Sequence, residues 1–431
     1  MFKFIITTLI LAISVCSLSA QIKISPYLMG QNAWGRGDIF RVQKEVEQVK
    51  YQTIRIGGNG YENSGFITNQ AIKYIDYARS VGAEPFLQMP RQLRNDNKAY
   101  EAVKYLNGEK GKNIKFWSIG NEPDHRNQLS SPEDVYDYFT KISTQIKKYD
   151  PKAKVMGFDL ASYTLKYMDR FLGGDLDLTG KIPGTDVYYL DGVTFHNYKF
   201  LDISRFEADV KLLKTKLAKF NAARPKENQL TWSITEFNTH WIVDPKLEER
   251  YQPYTFHNGQ IFAEMYDLGM REGAFTICPW SILEGGADRE GTDLSMFDLV
   301  NGKYEKRSNY YHTQMLAQNI KKQYLSHQDN SKDLVIIPMG DKSGIAIMIL
   351  NKSKTQPINY TLQLNHKKLK VDDVLINVNA KTNKKVTDSI SASCTQMLVF
   401  NSKGNLIKKY TYSSKNADAK SEPVLVLYKG N

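Results

Sequence analysis

Two glutamates in this chain each close an apolar run. Glu122 ends Phe116-Trp117-Ser118-Ile119-Gly120-Asn121-Glu122-Pro123, and Glu236 ends Leu230-Thr231-Trp232-Ser233-Ile234-Thr235-Glu236-Phe237. Two carboxyls about 5–5.5 Å apart can split a glycosidic bond with retention of configuration. One must be protonated to assist the leaving oxygen, the other ionised to attack the anomeric carbon. On that chemistry Glu122 is expected to be the acid/base and Glu236 the nucleophile. A single strand-end glutamate would more simply close its strand with a salt bridge, so the weight falls on the residues around the pair.

Those residues have definable tasks. Asn121 can set its amide on a sugar hydroxyl beside the leaving group, and Pro123 turns the chain away so that Glu122 faces the cleft. Arg55, closing the run TIRIGG, can hydrogen-bond Glu236 and keep it ionised, because a nearby cation lowers a carboxylate pKa. His196 and Tyr198 close another run, Phe195-His196-Asn197-Tyr198, from which the tyrosine can hold one nucleophile oxygen and leave the other free. Trp280 can form an apolar floor under a sugar ring. Trp34, Trp241, Gln88, Asn59 and His240 are further candidates for the substrate surface, whereas Trp117 and Trp232 sit inside runs and read as packing.

The elements that must position these side chains are a repeated βα rhythm. From Ile22 to about Lys322 short apolar runs alternate with amphipathic segments, which predicts a parallel sheet wrapped by helices. Eight strands are expected, ending near Gln31, Gly57, Met89, Asn121, Phe158, His196, Glu236 and Trp280. Helical spacing shows in Ile39, Val42, Val46 and Val49, and again in Phe206, Val210, Leu213, Leu217 and Phe220. Ser131-Pro132-Glu133-Asp134 is a helix start with a cap, a first-turn proline and acids facing the dipole. Eight such units close a (β/α)8 TIM barrel, whose active site lies at the C-terminal strand ends.

After about Tyr324 the rhythm changes to β-rich runs: DLVIIPMG, GIAIMILN, YTLQLN, DVLINVN, TQMLVFN and PVLVLYKG. With no convincing helix among them, they predict a small antiparallel all-β sandwich. The division is therefore a signal peptide over 1–20, a catalytic barrel over 21–323 and the sandwich over 324–431. Tryptophan is absent from the last segment, so a support role is expected there rather than sugar binding. That segment, from Leu325 onward, holds 16 lysines against 8 acidic residues and no arginine, so it supplies +8 of the net charge of +12. The basic balance thus marks a solvated β surface rather than a nucleic-acid site, and leaves an anionic glycan as a side expectation.

Lys3, an apolar run and Ser-Leu-Ser-Ala ending at Ala20 predict export to the periplasm or medium, with no membrane anchor after cleavage. Cleavage leaves Cys278 and Cys394 in different domains, which argues against a disulfide framework. No His, Cys and acid pairing shows metal-ligand spacing along the chain, and two-carboxylate hydrolysis needs no cofactor. Loop acids such as Asp288 and Asp293 keep a structural calcium open.

At this point the residues resemble the clan A glycoside hydrolases, retaining (β/α)8 enzymes with an Asn-Glu acid/base after strand four and a glutamate nucleophile after strand seven. The motifs are Gly120-Asn121-Glu122-Pro123 and, 114 residues on from Glu122, Ile234-Thr235-Glu236. Arg55-Ile56-Gly57-Gly58-Asn59 is similar to the strand-two signature of the arabinofuranosidase, xyloglucanase and heparanase-like branches, which add a C-terminal β-sandwich. The loop with Glu284, Asp288, Arg289 and Asp293, then Met296-Phe297-Asp298-Leu299 ahead of Lys306-Arg307-Ser308-Asn309-Tyr310-Tyr311, fits the approach to the last helix in such enzymes. The resemblance implies a polysaccharide or oligosaccharide substrate. The sequence departs from those branches in the loops at Gly30 to Gly37 and Gln88 to Arg91, where Arg36 and Arg91, with His240 and Arg289, are candidates for a sulfate or carboxylate on the sugar.

Three alternatives stay open. A transglycosylase would use the same residues and differ only in whether a sugar or water enters second. A non-catalytic carbohydrate-binding barrel would be expected to have lost a carboxylate. An envelope adhesion protein working through the sandwich would leave the convergence of Arg55, Asn121, Glu122, His196, Tyr198, Glu236 and Trp280 unexplained.

Overall fold

The computed structural model describes residues 21–34, 38–64, 68–126, 128–198, 203–249, 252–284, 293–365 and 374–429. Seven parallel strands follow one another around a single sheet in chain order: Gly30–Ala33, Thr53–Ile56, Glu84–Met89, Phe116–Ile119, Lys154–Leu160, Gly192–Tyr198 and Thr231–Asn238. The eighth stave closes them into a barrel. Ile277 bridges Met29 on one side and Ile234 on the other, with Ile277 N–H donating to the Leu28 carbonyl at 3.0 Å and Cys278 N–H to the Ile234 carbonyl at 2.8 Å. Where a regular strand ending at Trp280 was expected, the stave is therefore hydrogen-bonded but irregular, and Pro279 is one reason, since it has no N–H to give a ladder.

Strands one, five and seven run past the ends expected for two of them, Gln31 and Phe158, and for the third, Glu236. Each extension carries a polar residue to the barrel mouth: Asn32, Asp159 and Asn238. Helices follow each stave. Ser131 accepts the Asp134 N–H at 3.2 Å and Pro132 opens Pro132–Tyr149, as the sequence predicts. Ile39, Val42, Val46 and Val49 are all buried, as are Phe206, Val210, Leu213 and Leu217 of Ser204–Asn221. Among the described residues no helix is long and apolar enough to cross a membrane.

The C-terminal region is a two-sheet sandwich. Strands Leu334–Asp341, Gly344–Asn351 and Cys394–Asn401 form the centre of its larger sheet, and successive side chains divide between two cores. Ile347, Ile349, Leu398 and Phe400 meet the smaller sheet, while Ala346, Met348, Leu350, Met397 and Val399 join the barrel core. A strand's period of two thus glues both partners at once. Three details differ from expectation. Lys385–Ile390 and Leu406–Ser413 are additional strands, hidden in the sequence by lysine-rich, half-exposed faces. Ser414–Asp418 forms a short helix held by a capping box of Ser413 and Asn416. The smaller sheet has one parallel pair, Ile358–Gln363 with Val374–Val378. The strand Ile22–Lys23 pairs with Gln323–Tyr324 and so adds the start of the described chain to the larger sheet.

Candidate active site

Arg55 sits fully buried at the centre of the barrel mouth and organises four staves. One terminal nitrogen donates to Asn32 Oδ1 at 3.0 Å and Glu236 Oε1 at 2.7 Å; the other donates to Asn121 Oδ1 at 2.6 Å and Asp159 Oδ2 at 3.0 Å. Burial opposes its charge, but Asp159 and Glu236 outweigh that and raise its pKa further. Asp159 is buried too, and although burial pushes its carboxyl up, Arg55 holds it below the ordinary range.

Glu236 is carried on the seventh strand directly opposite His196 in register. Tyr198 donates to its Oε2 at 2.8 Å while Arg55 takes Oε1. The expectation that one oxygen would be left free is thereby corrected: each accepts one hydrogen bond, and Oε2 is the one facing His196 Nδ1, 3.6 Å away.

Glu122 is placed differently. Its strand ends at Ile119, and Gly120 (φ +76°) and Glu122 (φ +44°) then enter the left-handed region. A Cβ on Gly120 would lie 3.0 Å from the Tyr138 hydroxyl. The turn is locked by the Glu122 N–H donating to the Asp159 carbonyl at 2.8 Å. Asn59 donates to Glu122 Oε2 at 2.9 Å, and His196 Nδ1 lies 3.2 Å from Oε1. Backbone strain of this kind persists only where surroundings over-determine it.

His196 therefore faces both carboxylates through one nitrogen. Burial alone would lower its pKa, but the Glu236 charge and the Glu122 hydrogen bond raise it above the ordinary imidazole value. Burial likewise favours a neutral Glu122, yet the hydrogen bond and charge of His196, with Asn59 and His125, outweigh it and lower that carboxyl. His196 Nδ1 and Glu122 Oε1, 3.2 Å apart, form a coupled pair in which each group pulls the other toward its charged form. One ligand atom from each of Glu122, His196 and Glu236 lies within 4.8 Å of the other two, a spacing that could also hold a metal ion. Spacing along the chain gave no sign of this, because three separate strands bring the residues together.

The aromatic candidates divide. Trp280 is nearly buried, donates its indole N–H to Glu284 Oε1 at 2.6 Å and meets Trp34 edge to face at 5.0 Å. Gly58 fits against both rings, where a Cβ would approach within 2.9 Å. Trp241 is 47 % exposed and stacks on His240 at 4.1 Å. His240 Nδ1 faces its own loop, 3.2 Å from the Ile242 carbonyl.

Several residues expected at the substrate surface are instead beneath it. Gln88 spends its carbonyl on the Gly58 N–H at 2.6 Å and its amide on Glu62 at 2.7 Å. Asn121 is buried between Arg55 and Asn59. Arg91 pairs with Glu62 at 3.1 Å, and Asp293 accepts from Ser295 and Arg307, so both are committed within the protein. Arg36, Asp288 and Arg289 lie outside the described residues. Sequence reasoning missed Asn32 and Asp159 because it ended their strands two residues early, and missed Thr235, which donates to Asp159 Oδ1 at 2.7 Å from inside the seventh strand.

No protein-family model matches the sequence, and no curated protein does. Solved structures do. A family 51 α-L-arabinofuranosidase from Bifidobacterium longum is similar with a TM-score of 0.62 at 13 % identity, the match covering 88 % of this chain and 96 % of that one. An α-L-arabinofuranosidase from Thermotoga maritima, solved with arabinose, gives 0.58 at 16 % identity over 91 % and 96 %. A family 44 xyloglucanase from Paenibacillus polymyxa, solved with xyloglucan, gives 0.59 at 11 % identity over 88 % and 96 %. The class these likenesses define is one of fold: a (β/α)8 barrel followed by a β-sandwich, shared over nearly the whole of each chain.

Proposed function

We propose that this protein is an exported retaining glycoside hydrolase acting on a polysaccharide or oligosaccharide, with Glu236 as nucleophile and Glu122 as acid/base. One observation carries the reading: oxygens of two buried carboxylates, one in the turn after strand four and one on strand seven, lie within 4.8 Å of each other, one beside a permanent cation and the other beside a titratable imidazole. That is close to the short separation of retaining enzymes rather than the 6.5–9.5 Å of inverting ones.

In the first displacement Glu236 Oε2 attacks the anomeric carbon while Arg55 holds Oε1. Glu122 gives its proton to the departing oxygen, the proton reaching it from His196 Nδ1 across 3.2 Å. In the second, Glu122 takes a proton from water as that water attacks the glycosyl ester and frees Glu236. Trp280 and Trp34 supply the apolar wall beside the sugar. An anionic glycan is less favoured than the charge balance first suggests, because Arg91 is already paired with Glu62.

The test is reducing-end release from a panel of neutral and anionic glycans by the wild type, Glu236→Ala and Glu122→Ala, with proton NMR of the first product anomer formed. Release that vanishes in Glu236→Ala, and a product of retained configuration, are expected. Inversion, or equal release by all three proteins, would sink the assignment.

A further inference from the structure

Glu62 lies outside the pair of glutamates just described, yet its carboxylate is fully buried with both oxygens engaged. Oε2 accepts from Gln88 Nε2 at 2.7 Å; Oε1 accepts the Arg91 backbone N–H at 3.1 Å and pairs with Arg91 Nε at 3.1 Å. One contact begins a chain that ends on Glu122, and the other a chain that ends on the next residue, Pro123. Along the first, Gln88 Oε1 accepts the Gly58 N–H at 2.6 Å, and the next residue, Asn59, donates to Glu122 Oε2 at 2.9 Å. Along the second, Arg91 donates to Ser130 Oγ at 3.0 Å, and the Ser130 N–H donates to the carbonyl of Pro123, the residue following Glu122, at 2.9 Å.

One carboxylate thus braces two loops, the one that grips the Glu122 side chain and the one that carries its backbone onward. Keeping a charge there is costly: burial pushes the Glu62 carboxyl up to about 7 against the pull of Arg91 and Gln88. An apolar side chain would fill the same space at lower cost, so packing does not account for a carboxylate.

We propose that Glu62 is a positioning residue for the acid/base, holding Glu122 aligned for proton transfer through Gln88, Gly58 and Asn59 on one side and Arg91, Ser130 and Pro123 on the other. This rests on the acid/base reading of Glu122. Misplacing a catalytic group by 1 Å can cost on the order of 100-fold in rate.

The experiment compares kcat/KM on two aryl glycosides of the sugar that the wild type cleaves. A 2,4-dinitrophenyl group departs without protonation, whereas a phenyl group needs the acid. Glu62→Gln is expected to lose roughly ten-fold or more on the phenyl glycoside and to stay within about two-fold on the dinitrophenyl one. Ser130→Ala, which cuts the second chain without touching the buried charge, is expected to show the same pattern at smaller size, and carries the test if Glu62→Gln does not fold. Equal losses on both substrates, or none on either, overturn the proposal. Glu122→Ala run alongside separates the two claims. If its own loss ignores the leaving group, the acid/base reading falls and this inference with it; if its loss tracks the leaving group and those of Glu62→Gln and Ser130→Ala do not, only the positioning role falls.

Discussion

The two glutamates face each other across one barrel mouth, but the chain holds them by opposite means. Glu236 lies within the seventh strand, just after a register shift against strand six, and is gripped by a guanidinium that stays charged at any accessible pH. Glu122 lies beyond the end of its strand, in a left-handed turn, and its partners are a neutral amide and an imidazole. A permanent cation fixes a carboxylate as an anion; a titratable neighbour lets a proton come and go. Under the proposed mechanism, two chemically identical side chains take different roles from environment alone.

The largest expected effect breaks this asymmetry outright. Glu236→Ala should lower kcat/KM by about 10⁵-fold, because it removes the attacking carboxylate. Glu122→Ala should cost roughly 10²–10⁴-fold, the usual range for a proton-transfer group. Added azide distinguishes them by product: it should yield a glycosyl azide of inverted configuration from Glu236→Ala and of retained configuration from Glu122→Ala. Identical azide products from both variants would erase the division of labour.

The same contrast extends to stability. Arg55→Met leaves Asp159 and Glu236 buried without their cation and should destabilise the fold by about 3–5 kcal/mol in urea or thermal unfolding. Asn59→Ala removes a neutral donor from Glu122 and a neutral acceptor from the Asn121 and Gln128 amides at a part-buried site, and should cost about 1–2 kcal/mol. Comparable losses would mean that the two carboxylates are held alike. Tyr198→Phe takes one hydrogen bond from the Glu236 carboxyl and should lower kcat/KM by roughly 10- to 100-fold, with a smaller loss of stability than Arg55→Met.

The strand-borne half of this contrast was the more legible in the sequence. Apolar runs closed by polar residues announced Arg55, His196, Tyr198 and Glu236, since alternation and a strand's end fix where such side chains point. The barrel and sandwich followed from the same periodicities. What stayed hidden depends on residues distant in sequence. Asp159 looked like the start of a loop, and its extra strand position makes sense only once Arg55 is seen to need a second carboxylate. Gln88 looked like a sugar ligand because it is polar at a strand end; its partners Gly58 and Glu62 lie 30 and 26 residues away. The left-handed turn at Glu122 is set by Gly120, Tyr138 and the Asp159 carbonyl together, and Gly-Asn-Glu-Pro alone does not state it.

The smallest expected effect sharpens the comparison most, because it asks where the acid's proton resides. In the free protein the raised pKa of His196 means the shared proton is held at lower pH and lost as pH rises through that value. The alkaline limb of kcat/KM should therefore report the coupled pair. In His196→Gln the burial of Glu122 remains while the hydrogen bond and charge that lowered its pKa are gone, so the carboxyl's own pKa moves up. The proton now leaves from a carboxylic acid rather than from an imidazolium, and a carboxylic acid gives it up sooner. The limb should shift to lower pH. An alkaline limb at the same pH in both proteins would place the proton on Glu122 throughout and reduce His196 to a spacer between the carboxylates.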